Sequence, residues 1–215
     1  MDIRLVLAAT LGAYLAGSIP FGLIVARLTG GTDPRSIGSG RTGGTNALRA
    51  LGRRRAAVVS AGDILKGTLP VLAVHSLAAQ GAEIWTSTWT VIAALFAVIG
   101  TTRSIWVGFK GGRGIATGFG TALAIAPLAL AAVAPIFLIV IWRTRIVSLG
   151  SLATAALFAP ALFIISYATT GMLDGALIAY GIVGPALVWF AHADNIARLR
   201  DGTERTFDTG MLQRD

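Results

Sequence analysis

Cysteine is absent from the 215 residues, which excludes a disulfide framework and every thiolate metal site. Charge is scarce too: charged residues make up 13% of the chain, against about 25% in a soluble domain. Acids are the scarcer sign, with 10 Asp+Glu facing 18 Lys+Arg for a formal net charge of +8. Lysine is nearly missing: Lys66 and Lys110 stand alone, and every other cation is arginine. No His/Asp/Glu cluster has metal-ligand spacing, so no metal is expected. No serine sits in a nucleophile elbow, which removes a Ser–His–Asp hydrolase. The basic stretches are short and carry no interleaved aromatic platform, so nucleic acid is not an expected partner. There is also no low-complexity tract and no internal repeat of fixed period.

What the chain does have is apolar length. It is 54% hydrophobic, with a mean hydropathy of +0.73. Runs of the roughly 17–25 residues needed to cross a bilayer recur along it. They cover 3–26, 56–79, 87–103, 115–142, 147–168 and 172–191. The first follows Arg4 like a signal peptide, but it outlasts the about 7–15 residues of a cleaved apolar region and reads as a retained helix. Open sheet edges do not survive in hydrocarbon, so strands have no support. The expectation is an all-α integral membrane protein with one polytopic domain over 1–215.

Charge sets the topology. Positive-inside places the arginine-rich 27–55 stretch in the cytoplasm and the N-terminus outside. The 102–114 loop then also falls inside. A single helix over 115–142 would send Arg143, Arg145, Arg198, Arg200 and Arg205 to the outside. A break at Pro127 returns them, because proline removes a backbone donor and clashes with the preceding turn. Each half is then short for a core of about 30 Å, so bilayer thinning or burial of the helix ends must accommodate it. The break is adopted, giving about seven transmembrane helices, N-terminus out and C-terminus in.

Three polar segments carry chemistry. The first is GSGRTGGTNALRALG, Gly38 to Gly52. Its glycines, Gly38, Gly40, Gly43 and Gly44, let successive N–H groups turn onto one point as an anion nest. Ser39, Thr42, Thr45 and Asn46 add neutral hydrogen bonds, while Arg41 and Arg49 add charge that suits phosphate. The second is GFKGGRGIATGFG, Gly108 to Gly120. Lys110 and Arg113 flank Gly111 and Gly112, and Ile115 opens an apolar helix whose N-terminus favours an anion. It is not a Walker loop, because the Gly-Lys-Ser/Thr ending is missing. The third is AHADNIARLRDGTE, Ala191 to Glu204. His192 can bind phosphate or accept a proton near neutral pH, and Asn195 shares its face one helical turn on. The bland alternatives are a flexible basic loop, a tight turn and a satisfied interfacial histidine. Ser148 reads first as a helix N-cap. Asp63 and Lys66, three apart in an apolar segment, read as a structural ion pair inside the bundle.

The three segments, with GSIPFG in the first run, DILKG in the second and SLG after Arg145, resemble the bacterial acyl-phosphate:glycerol-3-phosphate acyltransferase family, PlsY. Order and spacing agree over nearly the whole chain. The resemblance implies a seven-helix bundle in the bacterial cytoplasmic (inner) membrane, with its motifs on the cytoplasmic side. It implies transfer of a fatty acyl group from acyl phosphate to the 1-hydroxyl of glycerol 3-phosphate, yielding lysophosphatidic acid and phosphate in phospholipid biosynthesis. No cofactor is implied; the partners would be the two substrates, membrane lipids and an enzyme that makes acyl phosphate. By matching position, Ser39, Arg49, Arg113, Ser148, His192 and Asn195 would line the polar site, with Lys110 beside Arg113. Gly40, Gly43, Thr45, Asn46, Gly111 and Gly112 would contact phosphate.

Departures from the family pattern are specific. Arg41 stands where asparagine is usual, Gly44 for alanine and Arg113 for lysine. Thr101 replaces a histidine, Ser104 a proline and Ala191 an arginine. Two other functions remain compatible with the residues. One is a transporter of a phosphorylated small molecule, suited by broken helices and by Asp63 and Lys66. The other is a diverged, inactive relative, suggested by Arg41, Thr101 and Ala191.

Overall fold

A computed structural model describes residues 2–81 and 83–206, and among them every regular element is helical. The first expected helix is two. α1 (Ile3–Ser18) and α2 (Phe21–Leu28) meet at 51°, because Pro20 has no N–H to continue the ladder. The break leaves the Ile19 carbonyl free to accept from Lys66 Nζ at 2.8 Å. Lys66 also pairs with Asp63 at 2.7 Å, with both side chains buried.

The polar stretch after α2 is not all loop. Gly44–Leu51 forms α3, which buries Ala47 and Leu51 against Val25, Ala26 and Val59. The next helix, α4 (Arg53–Ala78), starts three residues before the apolar run and takes in Arg53, Arg54 and Arg55. Likewise α5 (Glu83–Thr102) begins earlier than the expected 87, and a 3-10 turn at Ile105–Val107 follows it.

The 115–142 run breaks where proline predicted. α6 (Ile115–Ile125) ends at Ala126, with φ −142° and ψ 62°, and Pro127 opens α7 (Pro127–Thr144) at the position where a missing N–H costs nothing. α6 follows α4: Thr117 Oγ1 donates to the Asp63 carbonyl at 3.0 Å, and Thr68 Oγ1 to that of Gly120 at 2.9 Å. A Cβ on Gly67 would strike the Thr117 carbonyl, and one on Gly120 that of Ile64. Lipid is as apolar as leucine, so helices in it are held by such close packing and by hydrogen bonds. α7 turns back and packs on α8 (Val147–Thr170), where Gly150 meets Phe137 and Ile141. α9 (Gly175–Ala191) returns beside α6, with Thr121 Oγ1 2.8 Å from the Tyr180 hydroxyl. α10 (Ala193–Arg200) turns off at 64°, and its Asp194, Arg198 and Arg200 place it outside the apolar span.

Among the described residues, four elements are long and apolar enough to cross a membrane: Arg53–Ala78, Trp85–Val107, Pro127–Thr144 and Val147–Thr170. Counting each bent pair as one span gives six. Seven would require α6, whose 11 residues reach about 16 Å, roughly half of a hydrocarbon core.

Candidate active site

α3, α6 and α8 begin at the same end of the bundle, and their first residues line a single cavity of about 790 Å³. Gly44 and Thr45 come from α3 with its N-cap Gly43, Ile115 from α6 with its N-cap Gly114, and Val147 and Ser148 from α8. None of the three N-termini has a side-chain cap. Their unpaired N–H groups and positive dipole ends therefore create a field that favours an anion. The turns feeding them need glycine. Gly38 has φ 57° and Gly114 has φ 79°, in the left-handed region that other residues resist.

Cations ring the same end. Arg41, Arg49 and Arg113 line the cavity, as do Arg53 and Arg205. Burial, then the nearby Arg205, lowers the Arg49 guanidinium's affinity for its proton, with Glu204 opposing. Burial likewise lowers Arg113, against the pull of Asp194. Arginine stays charged throughout, because its ordinary value leaves a wide margin.

α10 supplies a second tier. Arg113 Nη2 lies 2.7 Å from Asp194 Oδ2, and Arg198 Nη2 lies 3.2 Å from the same oxygen. Burial pushes the Asp194 carboxyl up, but the Arg113 and Arg198 guanidiniums outweigh it and hold the group below its ordinary value. Arg198 Nε donates to Glu204 Oε2 at 2.8 Å, and Asn195 Nδ2 to Glu204 Oε1 at 2.7 Å. His192 Nδ1 sits 2.8 Å from the Val188 carbonyl oxygen, which can only accept. Nδ1 therefore carries the hydrogen, and in the neutral ring Nε2 is left as the acceptor. Three buried polar atoms of cavity-lining residues have no protein partner: Arg113 Nε, Ser148 Oγ and Asn195 Oδ1. Buried polar atoms are seldom left so, and these three belong to residues on the cavity wall.

Of the residues singled out from sequence, Ser39, Gly43, Thr45, Asn46, Arg49, Gly112, Arg113, Ser148, His192 and Asn195 line the cavity. Gly40, Lys110 and Gly111 do not: Lys110 is exposed, and Gly111 is buried with its N–H on the Thr102 carbonyl at 3.2 Å. Asn46 is occupied with its own loop. Its Nδ2 faces the carbonyls of Pro34, Ile37 and Arg41, and its Oδ1 accepts from the Ser39 N–H. Ser148 is not an N-cap; that position belongs to Ile146, and the serine hydroxyl is unpaired. Thr101 ties helices together, donating to the Gly17 carbonyl at 2.8 Å and meeting Thr117 Oγ1 at 2.8 Å. Asp194 and Glu204 were not expected as site residues. Two acids spaced among arginines in the last segment were the available signal.

The cavity is two-natured. Away from the polar end, Leu130, Val133, Phe137, Phe158 and Val188 form its walls.

Comparison with known proteins gives the family. A family model described as glycerol-3-phosphate acyltransferase matches residues 7–202. A glycerol-3-phosphate acyltransferase of Geotalea daltonii is 41% identical over 92% of this chain and 95% of its own. One from a Synechococcus strain is 45% identical over 92% of both chains. Among solved structures, the glycerol 3-phosphate form of PlsY (YgiH), an integral membrane glycerol 3-phosphate acyltransferase, aligns with a TM-score of 0.85 at 32% identity, over 97% of this chain and 98% of its own. Its lysophosphatidic acid form aligns at 0.82 and 30%. The chain belongs to the glycerol-3-phosphate acyltransferase family of integral membrane enzymes of phospholipid synthesis.

Proposed function

We propose that this chain, acting as one polytopic domain, moves a fatty acyl group from acyl phosphate to the 1-hydroxyl of glycerol 3-phosphate, releasing lysophosphatidic acid and inorganic phosphate. The observation that carries it is the cavity: uncapped helix N-termini and arginines at one end, apolar walls at the other. Both substrates present phosphate to the first, and the acyl tail suits the second. Arg49, Ser39 and the glycine-rich start of α3 hold one phosphate. Arg113, the start of α6 and Ser148 hold the other and stabilise the charge it gains on leaving. His192 and Asn195 orient the acceptor. The glycerol oxygen bonds to the acyl carbon, and the carbon–oxygen bond to phosphate breaks with its electron pair going to phosphate. The hydroxyl proton passes to His192 Nε2 or to the leaving phosphate itself. Phosphate leaves well, so no acyl-enzyme is required, and fixing the two reactants together supplies several kcal/mol of the barrier, of the about 7–11 kcal/mol available from orientation.

The polar end faces the cytoplasm of a bacterial inner membrane, because the arginine-dense 27–55 stretch and α10 both lie there. With α6 as a short crossing, the count becomes seven and the N-terminus lies outside; residues 207–215, which would follow on the inner side, lie outside the described residues. The acyl phosphate comes from a separate enzyme, one that makes a mixed anhydride from an activated acyl chain. Purified protein given palmitoyl phosphate should release phosphate only when glycerol 3-phosphate is added. Uptake into vesicles without release would make it a transporter, and no response of either kind an inactive relative. Arg49→Ala should abolish release. If His192→Ala leaves turnover intact, the proton goes to phosphate.

A further inference from the structure

Four helices wall the apolar half of the cavity, and the sizes of their side chains change with depth. On α9, Tyr180, Gly184, Val188 and His192 recur every four residues and share one face on the cavity. On α8, Ser148, Ser151, Ala155 and Phe158, spaced three, four and three residues apart, likewise share one face on the cavity. Between the two ends, α8, α9 and α7 contribute small residues, Ser151, Ala155, Gly184 and Ala134, beside Phe137 and Leu138. At the far end the lining is bulky. Phe158 and Tyr180 meet edge to face, with ring centroids 5.7 Å apart and planes at 88°. The Tyr180 hydroxyl is pinned to Thr121 Oγ1 at 2.8 Å, and both rings are buried with Leu130 and Leu162 in the main core. The bore therefore ends on a fixed, hydrogen-bonded surface.

Resting on the acyltransfer proposed above, we infer that the Phe158–Tyr180 pair is the end stop that sets acyl chain length, and that Gly184 sets the width of the bore. The depth fits. Tyr180 lies twelve residues below His192 on α9, about 18 Å, and Phe158 ten below Ser148 on α8, about 15 Å. One leaflet of a bilayer offers about 15 Å of hydrocarbon, half of its roughly 30 Å core, so the stop suits an acyl chain that spans one leaflet. A longer chain leaves methylenes without room, and exclusion of two of them lowers kcat/KM about tenfold.

The test uses full-length protein in lipid nanodiscs, supplied with glycerol 3-phosphate and a mixture of acyl phosphates from myristoyl to arachidoyl. Products are counted by chain length in a mass spectrometer. Phe158→Ala should raise the arachidoyl-to-palmitoyl product ratio about tenfold. Gly184→Leu, which narrows the bore one turn above the stop, should shift the products toward myristoyl, with the KM for glycerol 3-phosphate unchanged in both variants. A purely structural role would lower all chain lengths alike. Unaltered product ratios in both variants overturn the inference. Retention of lysophosphatidic acids of the same chain series, read as thermal stabilisation of each protein, reports the stop without any donor. If the wild type uses no acyl phosphate yet this profile shifts in Phe158→Ala, the donor assignment falls and the stop stands; an unshifted profile sinks the stop.

Discussion

Lys66→Met tests whether a buried ion pair holds the kink that seats the first glycine-rich loop. Lys66 and Asp63 expose 6% and 9% of their side chains, and Lys66 also caps the Ile19 carbonyl at the α1–α2 break. Removing one partner of such a pair strands the other charge and costs about 3–5 kcal/mol. Losing the Lys66 bond to the Ile19 carbonyl, which keeps only the Phe21 N–H at 3.2 Å, adds about 1 kcal/mol. The sum is on the order of 4–6 kcal/mol, a large share of the roughly 5–15 kcal/mol that holds a domain together. Replacing both partners with apolar residues, Asp63→Leu with Lys66→Met, leaves no stranded charge and should recover at least half of the loss. Tryptophan fluorescence during denaturant-driven unfolding in lipid nanodiscs measures both. The KM for glycerol 3-phosphate should rise in the single variant, because α2 supports the loop: Gly22 lies directly under the Thr42 carbonyl. A single variant that loses less than about 1 kcal/mol, or a double variant as unstable as the single, refutes the argument.

Other expectations follow from the same geometry. Asp194→Asn removes the carboxylate shared by Arg113 and Arg198; its side chain is 41% exposed, which discounts the pair, so kcat/KM should fall only about fivefold. Because the folded Asp194 sits below its ordinary carboxyl value, its contribution is complete above that value and is lost only as pH falls through the lowered one. The variant-to-wild-type activity ratio should therefore be flat from about pH 5 upward; a ratio that changes between neutral pH and that point would contradict the clamp. Gly120→Val should lower the melting temperature by an overpacking cost of about 1–3 kcal/mol, since a Cβ there meets the Ile64 carbonyl. Gly118→Ala, where a Cβ meets nothing within 4 Å, should be neutral or stabilising in the same assay.

The class of molecule, the helix break at Pro127 and the residue types at the site were all legible along the chain. Those are local properties. A run of apolar residues must satisfy its backbone internally, proline must interrupt a ladder, and glycines beside arginines must favour an anion. Family membership was legible for the same reason, in the order and spacing of GSGRTGGTNALRALG, GFKGGRGIAT and HADNIARLRDGTE. The packing of the helices sets where each residue stands within that frame. It leaves Asn46 spent on its own loop, Lys110 away from the cavity, and Thr101 bonded between helices. It brings Asp194 onto Arg113 across 81 residues of sequence, and stands Phe158 against Tyr180 at the end of the bore. Which hydroxyl or amide is already satisfied, and which two side chains share a wall, depends on how helices distant in the chain pack against one another. No spacing along a single helix records that.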